Sequence, residues 1–410
     1  MASPKILVIR TYFHPAATPG SRRLGAFCRH LAEDGFDVTL VALRPPGCAG
    51  EAERARQQRE PYRSILLEHT LRPGSLAAGL EHRLRKWFPG FLGDGYAQAR
   101  DRVHREAAAL LSRERFDCLL TTFPFTSSLQ VASRLHDRFG IPWIADLRDL
   151  PDEFDSARKR WATRRSVARV AGYCRTAVRL VTVSAPLRSA LETRYGLAVP
   201  VEVIHNGYDE DAFPADGGGS RTSLNFDIVF CGGARRGDGR TAQLLEEGLA
   251  VLRGRGVDLA GVRIVLVGPN DAASLGLGRT EQHAVPVIRR GIVPHAEALA
   301  AMQSAAVLVS LASAGAKGIL TSKIFEYARA GRPVLGIPRD DDALDGFIHR
   351  ARIGQACGTG EEVADFLAGW LAAWRRTGEL PVAEPDREYL AGFSRRAQSR
   401  KLGGVIRSCV

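Results

Sequence analysis

Residues 314–338, AGAKGILTSKIFEYARAGRPVLGIP, predict a loop, a helix and a short apolar strand in succession. Thr321 or Ser322 can cap the start of the helix, where an oxygen side chain satisfies unpaired backbone N–H groups. Gly331 and Pro333 are typical of residues at which a helix ends. A helix that leads into an apolar strand is one unit of an α/β fold, in which helices cover a largely parallel sheet.

Two charged residues of this helix suit a nucleoside diphosphate. Backbone N–H groups and the positive end of the helix dipole meet at the N-terminus, so Lys323 adds charge to an anion site there. Glu326 lies about one turn further on, where a carboxylate can accept the hydroxyls of a ribose. The alternative is a capping box, in which Glu326 caps the backbone of its own helix. The residues alone leave both interpretations open.

The composition indicates two domains and an excess of positive charge. The 410 residues are too many for one ordinary hydrophobic core. Lys and Arg number 57 against 45 Asp and Glu, and the formal net charge of +12 favours an anionic partner. The basic residues are dispersed and not interleaved with aromatic ones, so the pattern does not favour nucleic-acid binding.

Cysteine usage and hydropathy predict a cytoplasmic protein. The seven cysteines have no C-x-x-C spacing, so we expect reduced thiols and no zinc site. A strand begins within a few residues of the N-terminus, which predicts no signal peptide, and no apolar run is long enough to span a bilayer. Residues 84–92, LRKWFPGFL, combine basic and large apolar side chains, so peripheral contact with a membrane and packing against the chain's own domain are alternatives.

Strands alternate with helices along the first half of the chain. Lys5–Arg10 and Asp37–Val41 are apolar strands, and an amphipathic helix over residues 21–34 lies between them. This alternation predicts a doubly wound, Rossmann-like sheet. Further strands of this sheet are predicted at 64–68, 117–122, 141–146, 179–184 and 201–205.

A second α/β run follows a segment of linker composition. The turn over residues 232–240, GGARRGDGR, is rich in glycine and arginine, and it lacks both the G-K-[ST] of a P-loop and the spacing of a dinucleotide fingerprint. Strands of this run are predicted at 227–231, 263–268, 285–290 and 307–311. We therefore predict domains at 1–212 and 226–385, a linker at 213–225 and a C-terminal helix within 386–410.

Residues 322–334 follow the pattern S-K-x-F-E-Y-x-x-x-G-x-P-V, which resembles the donor-binding segment of GT-B glycosyltransferases in the branch near family 4. The segments HPAATPGSRR (14–23), ADLRD (145–149) and HNGYD (205–209) resemble other loops of that family. The resemblance implies two Rossmann-like domains facing across a cleft, with the acceptor on the first and a nucleotide sugar on the second. It also implies that the C-terminal helix returns to the first domain.

The resemblance implies roles for donor-binding residues. Glu326 would bind the ribose, and Lys323 with the loop before it would hold the diphosphate. Relatives often carry a second Glu eight residues before the ribose Glu. This chain has Gly318 there, preceded by Lys317, so the sequence does not predict the identity of the donor sugar. The predicted donor-binding residues are Gly20, Gly232, Gly233, Arg235, Arg236, Arg240, Gly268, Lys317, Ser322, Lys323 and Glu326.

Asp146, Arg148 and Asp149 are the predicted catalytic residues on the acceptor side. Asp146 ends a buried strand and the other two follow it, and the carboxyl ends of strands are where open α/β sheets bind ligands. Many relatives place a histidine near this strand end, and Arg148 stands at about that position here. The alternative is an internal Arg–Asp pair that braces the loop.

We expect no metal and no other cofactor. The run Asp340–Asp342 resembles the D-x-D metal site of other glycosyltransferases, but GT-B enzymes hold the diphosphate with basic residues and helix N-termini. The predicted function is metal-independent, retaining transfer of a sugar from a nucleoside diphosphate sugar to a hydroxyl or amine. The acceptor would be a saccharide, a lipid-linked saccharide or a small natural product. The alternatives are a GT-B epimerase and a catalytically silent sugar-nucleotide binding module.

Overall fold

The structure is a computed structural model, which describes two compact units. Unit 1 comprises Met1–His205 and Arg395–Val410, and unit 2 comprises Asn206–Ser394. The described residues are 3–13, 19–44, 59–68, 97–150, 160–213, 223–233, 241–270, 275–277, 285–312, 318 and 320–410. Several predictions lie outside them: the membrane-contact segment 84–92, most of the linker, Lys317 and the three arginines Arg235, Arg236 and Arg240.

Unit 1 is built on a parallel sheet of seven described strands in the order β3-β2-β1-β4-β5-β6-β7. These are β1 (Lys5–Arg10), β2 (Asp37–Arg44), β3 (Arg63–Glu68), β4 (Cys118–Thr122), β5 (Trp143–Leu147), β6 (Arg179–Thr182) and β7 (Val201–Val203). The strand order reverses beside β1, which pairs with β2 on one side and β4 on the other. Crevices outside the carboxyl ends of strands at such a reversal are the usual ligand sites of open α/β sheets.

Unit 2 is built on a second parallel sheet, of six described strands in the order β10-β9-β8-β11-β12-β13. These are β8 (Phe226–Cys231), β9 (Val262–Val267), β10 (Val287–Gly291), β11 (Val307–Leu311), β12 (Val334–Ile337) and β13 (Gly354–Ala356). Here the order reverses beside β8, which pairs with β9 and β11. The predicted α/β class, with two Rossmann-like parallel sheets, is confirmed.

The described helices connect these strands. In unit 1 up to residue 205 they are α1 (Pro19–Glu33), α2 (Ala97–Leu111), α3 (Thr126–Phe139), α4 (Arg160–Cys174) and α5 (Ala185–Ser189). In unit 2 they are α6 (Gln243–Gly254), α7 (His295–Gln303), α8 (Ser322–Ala330), α9 (Ala343–Ala351), α10 (Gly360–Thr377) and α11 (Arg387–Ala391), and α12 (Arg395–Arg407) belongs to unit 1. No helix of the described ranges is long and apolar enough to cross a membrane.

The core of unit 1 lies on both faces of its sheet. Successive side chains of a strand alternate in direction, so β1 contributes to two cores. Leu7 and Ile9 pack in one cluster with residues of α2, α3 and α4. Ile6 and Val8 pack in another with residues of α1 and α12. The sheet is therefore covered on both sides, which explains why its strands read as continuous apolar runs.

Candidate functional site

The first turn of α8 lies near the carboxyl end of β8, where Lys323 approaches Gly232. Thr321 occupies the capping position in an extended conformation, and its side chain makes no capping hydrogen bond. Backbone N–H groups at a helix N-terminus, with the positive end of the helix dipole, attract an anion. Ser322 and Lys323 are the first two residues of this helix.

Lys323 lies against the backbone of Gly232, directly after β8. A Cβ atom on residue 232 would be 2.5 Å from Lys323 Nζ, so any other residue would displace the lysine. Gly232 also has a φ of 141°, in the region that favours glycine. Gly268 follows β9 with a φ of 118°, and a Cβ there would meet the carbonyl oxygen of Gly232. The structure thus brings together Lys323, Gly232 with the adjoining Gly233, and Gly268.

Glu326 forms a hydrogen bond with a histidine that the sequence did not single out. His295 Nε2 lies 3.0 Å from Glu326 Oε1, and Glu326 is 3% exposed. A capping box needs its Glu three residues after the cap, and Ile324 occupies that position. The capping-box alternative for Glu326 is therefore wrong.

Aromatic side chains fix α8 in place. The hydroxyl of Tyr327 accepts a hydrogen bond of 2.8 Å from the backbone N–H of Cys231, at the end of β8. Phe325 packs its ring against Phe347 and Phe393, with centroids 5.0 and 5.2 Å away. The helix is held at both neighbouring positions, so the side chain of Glu326 between them has a defined direction.

Arg290 is a second cation near this site that sequence reasoning missed. Burial raises the pKa of the Cys231 thiol to about 12, and the nearby charge of Glu326 adds to the rise. The positive charges of Lys323 and Arg290 act in the opposite direction on the same pKa. Both cations therefore lie within electrostatic range of the carboxyl end of β8. The signal in the sequence is the pair of arginines, Arg289 and Arg290, at the end of the strand VIRRG.

In unit 1, Asp146 is engaged in a buried ion pair. Arg23 Nε and Nη2 donate to its two carboxylate oxygens at 3.2 and 3.1 Å. The guanidinium of Arg23 also donates to the carbonyl oxygens of Ile204 and His205, at 2.8 and 2.6 Å. The side chains of Arg23 and Asp146 are only 7% and 2% exposed. This pair ties α1 to β5 and to the segment after β7.

Arg148 lies beside Gly20, at the start of α1. Its Nε and Nη2 both donate to the carbonyl oxygen of Phe123 at 3.3 Å, and Nη2 lies 3.6 Å from Asp149 Oδ2. A Cβ on residue 20 would lie 2.5 Å from Arg148 Nη2. The group that approaches the backbone of Gly20 in this structure is thus the guanidinium of Arg148. Arg148 and Asp149 thus make the contact that an internal Arg–Asp brace of the loop requires. The side chain of Arg148 is nevertheless 13% exposed.

The carboxyl group of Asp149 has a raised pKa, which affects stability. Burial raises the pKa of its carboxyl above the ordinary value of 3.8, the charge of Asp146 adds to the rise, and the charge of Arg148 opposes it. The native state then holds a proton at pH values where the unfolded state has lost it. The native protein is therefore stabilised by this group at low pH, and it loses that stability as pH rises from 3.8 through the raised pKa.

Asp149→Asn should consequently gain free energy of unfolding relative to the parent as pH rises through that window. The asparagine has no proton to lose, so it escapes the penalty of a partly buried charge. Urea denaturation of both proteins, from about pH 4 to about pH 7, measures the difference. A difference that is constant across this range would contradict a raised pKa at Asp149.

Within the described part of the chain, no group of three or more His, Cys, Asp or Glu side chains is arranged to hold a metal ion. The backbone N–H groups of Asp341 and Asp342 are bonded to the carboxylates of Asp345 and Asp340 at 2.9 and 3.0 Å. These carboxylates thus organise their own loop and the start of α9.

Known proteins resemble this chain in sequence over most of unit 1 and in fold over nearly its whole length. Residues 20–212 match the family model described as Glycosyltransferase Family 4. HepE from Anabaena, solved in complex with UDP and glucose, is 16% identical with a TM-score of 0.62, and the match covers 99% of this chain and 100% of HepE. The chain has the GT-B fold. The predicted resemblance to GT-B glycosyltransferases is confirmed, whereas the donor-binding role of residues 322–334, which lie outside the matched range, stays a prediction.

Other solved structures share the GT-B fold. Sucrose-phosphate synthase from Thermosynechococcus elongatus is 18% identical with a TM-score of 0.62, over 99% of this chain and 98% of the synthase. A protein from Listeria monocytogenes, provisionally named a UDP-N-acetylglucosamine 2-epimerase, is 11% identical with a TM-score of 0.51, over 100% of this chain and 96% of that one. A search of curated protein sequences found no match. At these identities the similarity establishes the fold and not the substrate.

Proposed function

We propose that the protein is a glycosyltransferase that moves a sugar from a nucleoside diphosphate sugar to an acceptor hydroxyl or amine. The observation that carries the proposal is the arrangement at β8, where Lys323 covers Gly232 and the buried carboxylate of Glu326 lies one turn further along α8. A cation at a helix N-terminus suits a diphosphate, and a carboxylate beside it suits a ribose. The match of residues 20–212 to Glycosyltransferase Family 4 supports the same reaction class.

The proposed donor grip uses protein groups only. Lys323, the N-terminus of α8 and Arg290 would stabilise the diphosphate as its charge develops on leaving, which is the main electrostatic task of the reaction. Ser322, Lys317 and the three arginines of the 232–240 turn remain candidates for the same phosphates. We propose that no metal ion or cofactor takes part, and that the sugar is transferred with retention.

On the acceptor side, Arg148 would orient an oxygen of the acceptor or donor. A guanidinium stays protonated, so Arg148 donates hydrogen bonds and cannot serve as the base. Both carboxylate oxygens of Asp146 accept hydrogen bonds from Arg23, so we assign Asp146 a role in positioning β5 and the following loop. The departing phosphate or Asp149 would therefore accept the proton of the acceptor.

We propose a nucleotide sugar and a saccharide, lipid-linked or small-molecule acceptor as partners, and a cytoplasmic location. Five of the described cysteines are buried and unbridged, which suits a reducing compartment. Peripheral contact with the inner face of a membrane stays part of the proposal, resting on the composition of residues 84–92.

Glu326→Ala is expected to weaken nucleotide binding by roughly one to two orders of magnitude, the loss of a charge-assisted pair of hydrogen bonds to the ribose. Calorimetry with UDP, GDP and ADP measures the effect. Glu361→Ala, on the exposed start of α10, is the matched control and should bind like the parent. Unchanged affinity in a folded Glu326→Ala protein would remove the ribose role from this residue.

The decisive experiment is incubation of the pure protein with nucleotide sugars and candidate acceptors, followed by mass spectrometry. A glycosyltransferase releases free nucleoside diphosphate and a glycosylated product. An epimerase changes the sugar without an acceptor, and a silent binding module changes nothing. Because the Listeria protein shares the fold, this assay and not the fold distinguishes the classes.

A further inference from the structure

Glu326 is nearly removed from solvent, and a carboxylate in such a place needs hydrogen-bond donors to stay ionised in one orientation. His295 is such a donor, with Nε2 3.0 Å from Glu326 Oε1. An ionised carboxylate only accepts hydrogen bonds, so the hydrogen of this bond belongs to Nε2 of the imidazole. With Glu326 ionised, this contact requires a form of His295 that carries a hydrogen on Nε2.

The two partners come from different elements of unit 2. His295 is the first residue of α7, directly after Pro294, whereas Glu326 lies in α8. The helices pack against each other, since Leu299 and Met302 share a core cluster with Ile324. The bond thus joins the helix that follows β10 to the helix that carries the proposed ribose carboxylate. The His295 side chain is 26% exposed, so this end of the pair is open to solvent.

We infer that His295 is a positioning residue of the donor site, which holds the Glu326 carboxylate in the orientation that accepts the ribose hydroxyls of a nucleoside diphosphate. The inference rests on the proposed function. A carboxylate has about four acceptor positions, so it has the capacity to accept hydrogen bonds from His295 and from a ribose diol together. A carboxylate that is oriented before the ligand arrives also lowers the entropic cost of binding.

Two substitutions of His295 separate this role from simple packing. His295→Leu removes the donor and keeps an apolar body, whereas His295→Gln offers an amide N–H group that can reach the same oxygen. UDP, GDP and ADP are tested first by calorimetry, and the tightest binder is then compared with its 2′-deoxy analogue. Thermal melting of each variant reports on folding.

His295→Leu is expected to weaken nucleotide binding about tenfold, as the loss of a hydrogen bond to a charged group predicts. It should weaken the 2′-deoxy analogue less, because the lost orientation serves the ribose hydroxyls. His295→Gln should stay within about threefold of the parent. In a Glu326→Gln background, adding His295→Leu should weaken binding little further, because the two residues act as one unit.

Three results would overturn the inference. The first is unchanged nucleotide affinity in His295→Leu. The second is an equal loss for the nucleotide and its 2′-deoxy analogue. The third is an equal loss in the Leu and Gln variants with a lowered melting temperature, which would assign His295 to packing. A parent protein that binds none of the three nucleotides would instead overturn the proposed function, and this inference with it.

Discussion

Arg148→Ala is expected to lower kcat by roughly two to three orders of magnitude and to leave nucleotide affinity nearly unchanged. The carbonyl oxygen of Phe123 holds the guanidinium of Arg148 in unit 1, whereas the proposed nucleotide ligands Lys323 and Glu326 belong to unit 2. A fixed cation beside a reacting oxygen stabilises charge that develops during transfer, so it acts on kcat. Steady-state kinetics at saturating donor, together with calorimetry, separates the two quantities.

Gly20→Ala tests the same arginine without removing it. The new Cβ would lie 2.5 Å from Arg148 Nη2, so the guanidinium must shift. We expect kcat to fall in this variant also, by less than in Arg148→Ala. Arg134→Ala, on the exposed face of α3, is the control for the loss of one positive charge. Normal kcat with weak nucleotide binding in Arg148→Ala would show that the ADLRD segment braces its loop and that the acceptor site lies elsewhere.

Arg23→Ala is expected to destabilise unit 1 by about 3–5 kcal/mol, because it leaves the buried carboxylate of Asp146 without its partner. The carbonyl oxygens of Ile204 and His205 also lose their donor. Urea denaturation of parent and variant at one protein concentration measures the free energy of unfolding.

The double variant Arg23→Met/Asp146→Leu is the informative control for that prediction. Replacing both members of a buried ion pair by apolar residues removes the unpaired charge, so the double variant should be more stable than Arg23→Ala. If Arg23→Ala cost less than about 1 kcal/mol, as exposed ion pairs do, the pair would not be the brace between α1 and β5 that the distances indicate.

The strands were predictable because buried parallel strands are apolar along their whole length. Lys5–Arg10 was predicted and β1 has the same bounds. The strand predicted at 141–146 begins instead at Trp143, since Pro142 has no N–H group to give to the sheet. The short edge strand Gly354–Ala356 was not predicted, because three residues without an apolar run carry no strand signal.

The partners within the site were not predictable, since they depend on which strand ends become neighbours. Arg22 and Arg23 look alike in the sequence, yet Arg23 turns out to pair with Asp146, 123 residues away. Glu326 was identified from its place in a helix, but its bond to His295 required the packing of α7 on α8. Local patterns thus locate charged residues, and only the folded chain decides which charge meets which.

The core of unit 1 is completed by α12, which is the last helix of the chain to be synthesised. Leu402 and Ile406 of this helix are fully buried in the core that α1 and β1 share, and all of unit 2 precedes α12 in the chain. Unit 2 is continuous and can fold as soon as it emerges. The core that α1 shares with Leu402 and Ile406 is therefore incomplete until α12 has been translated.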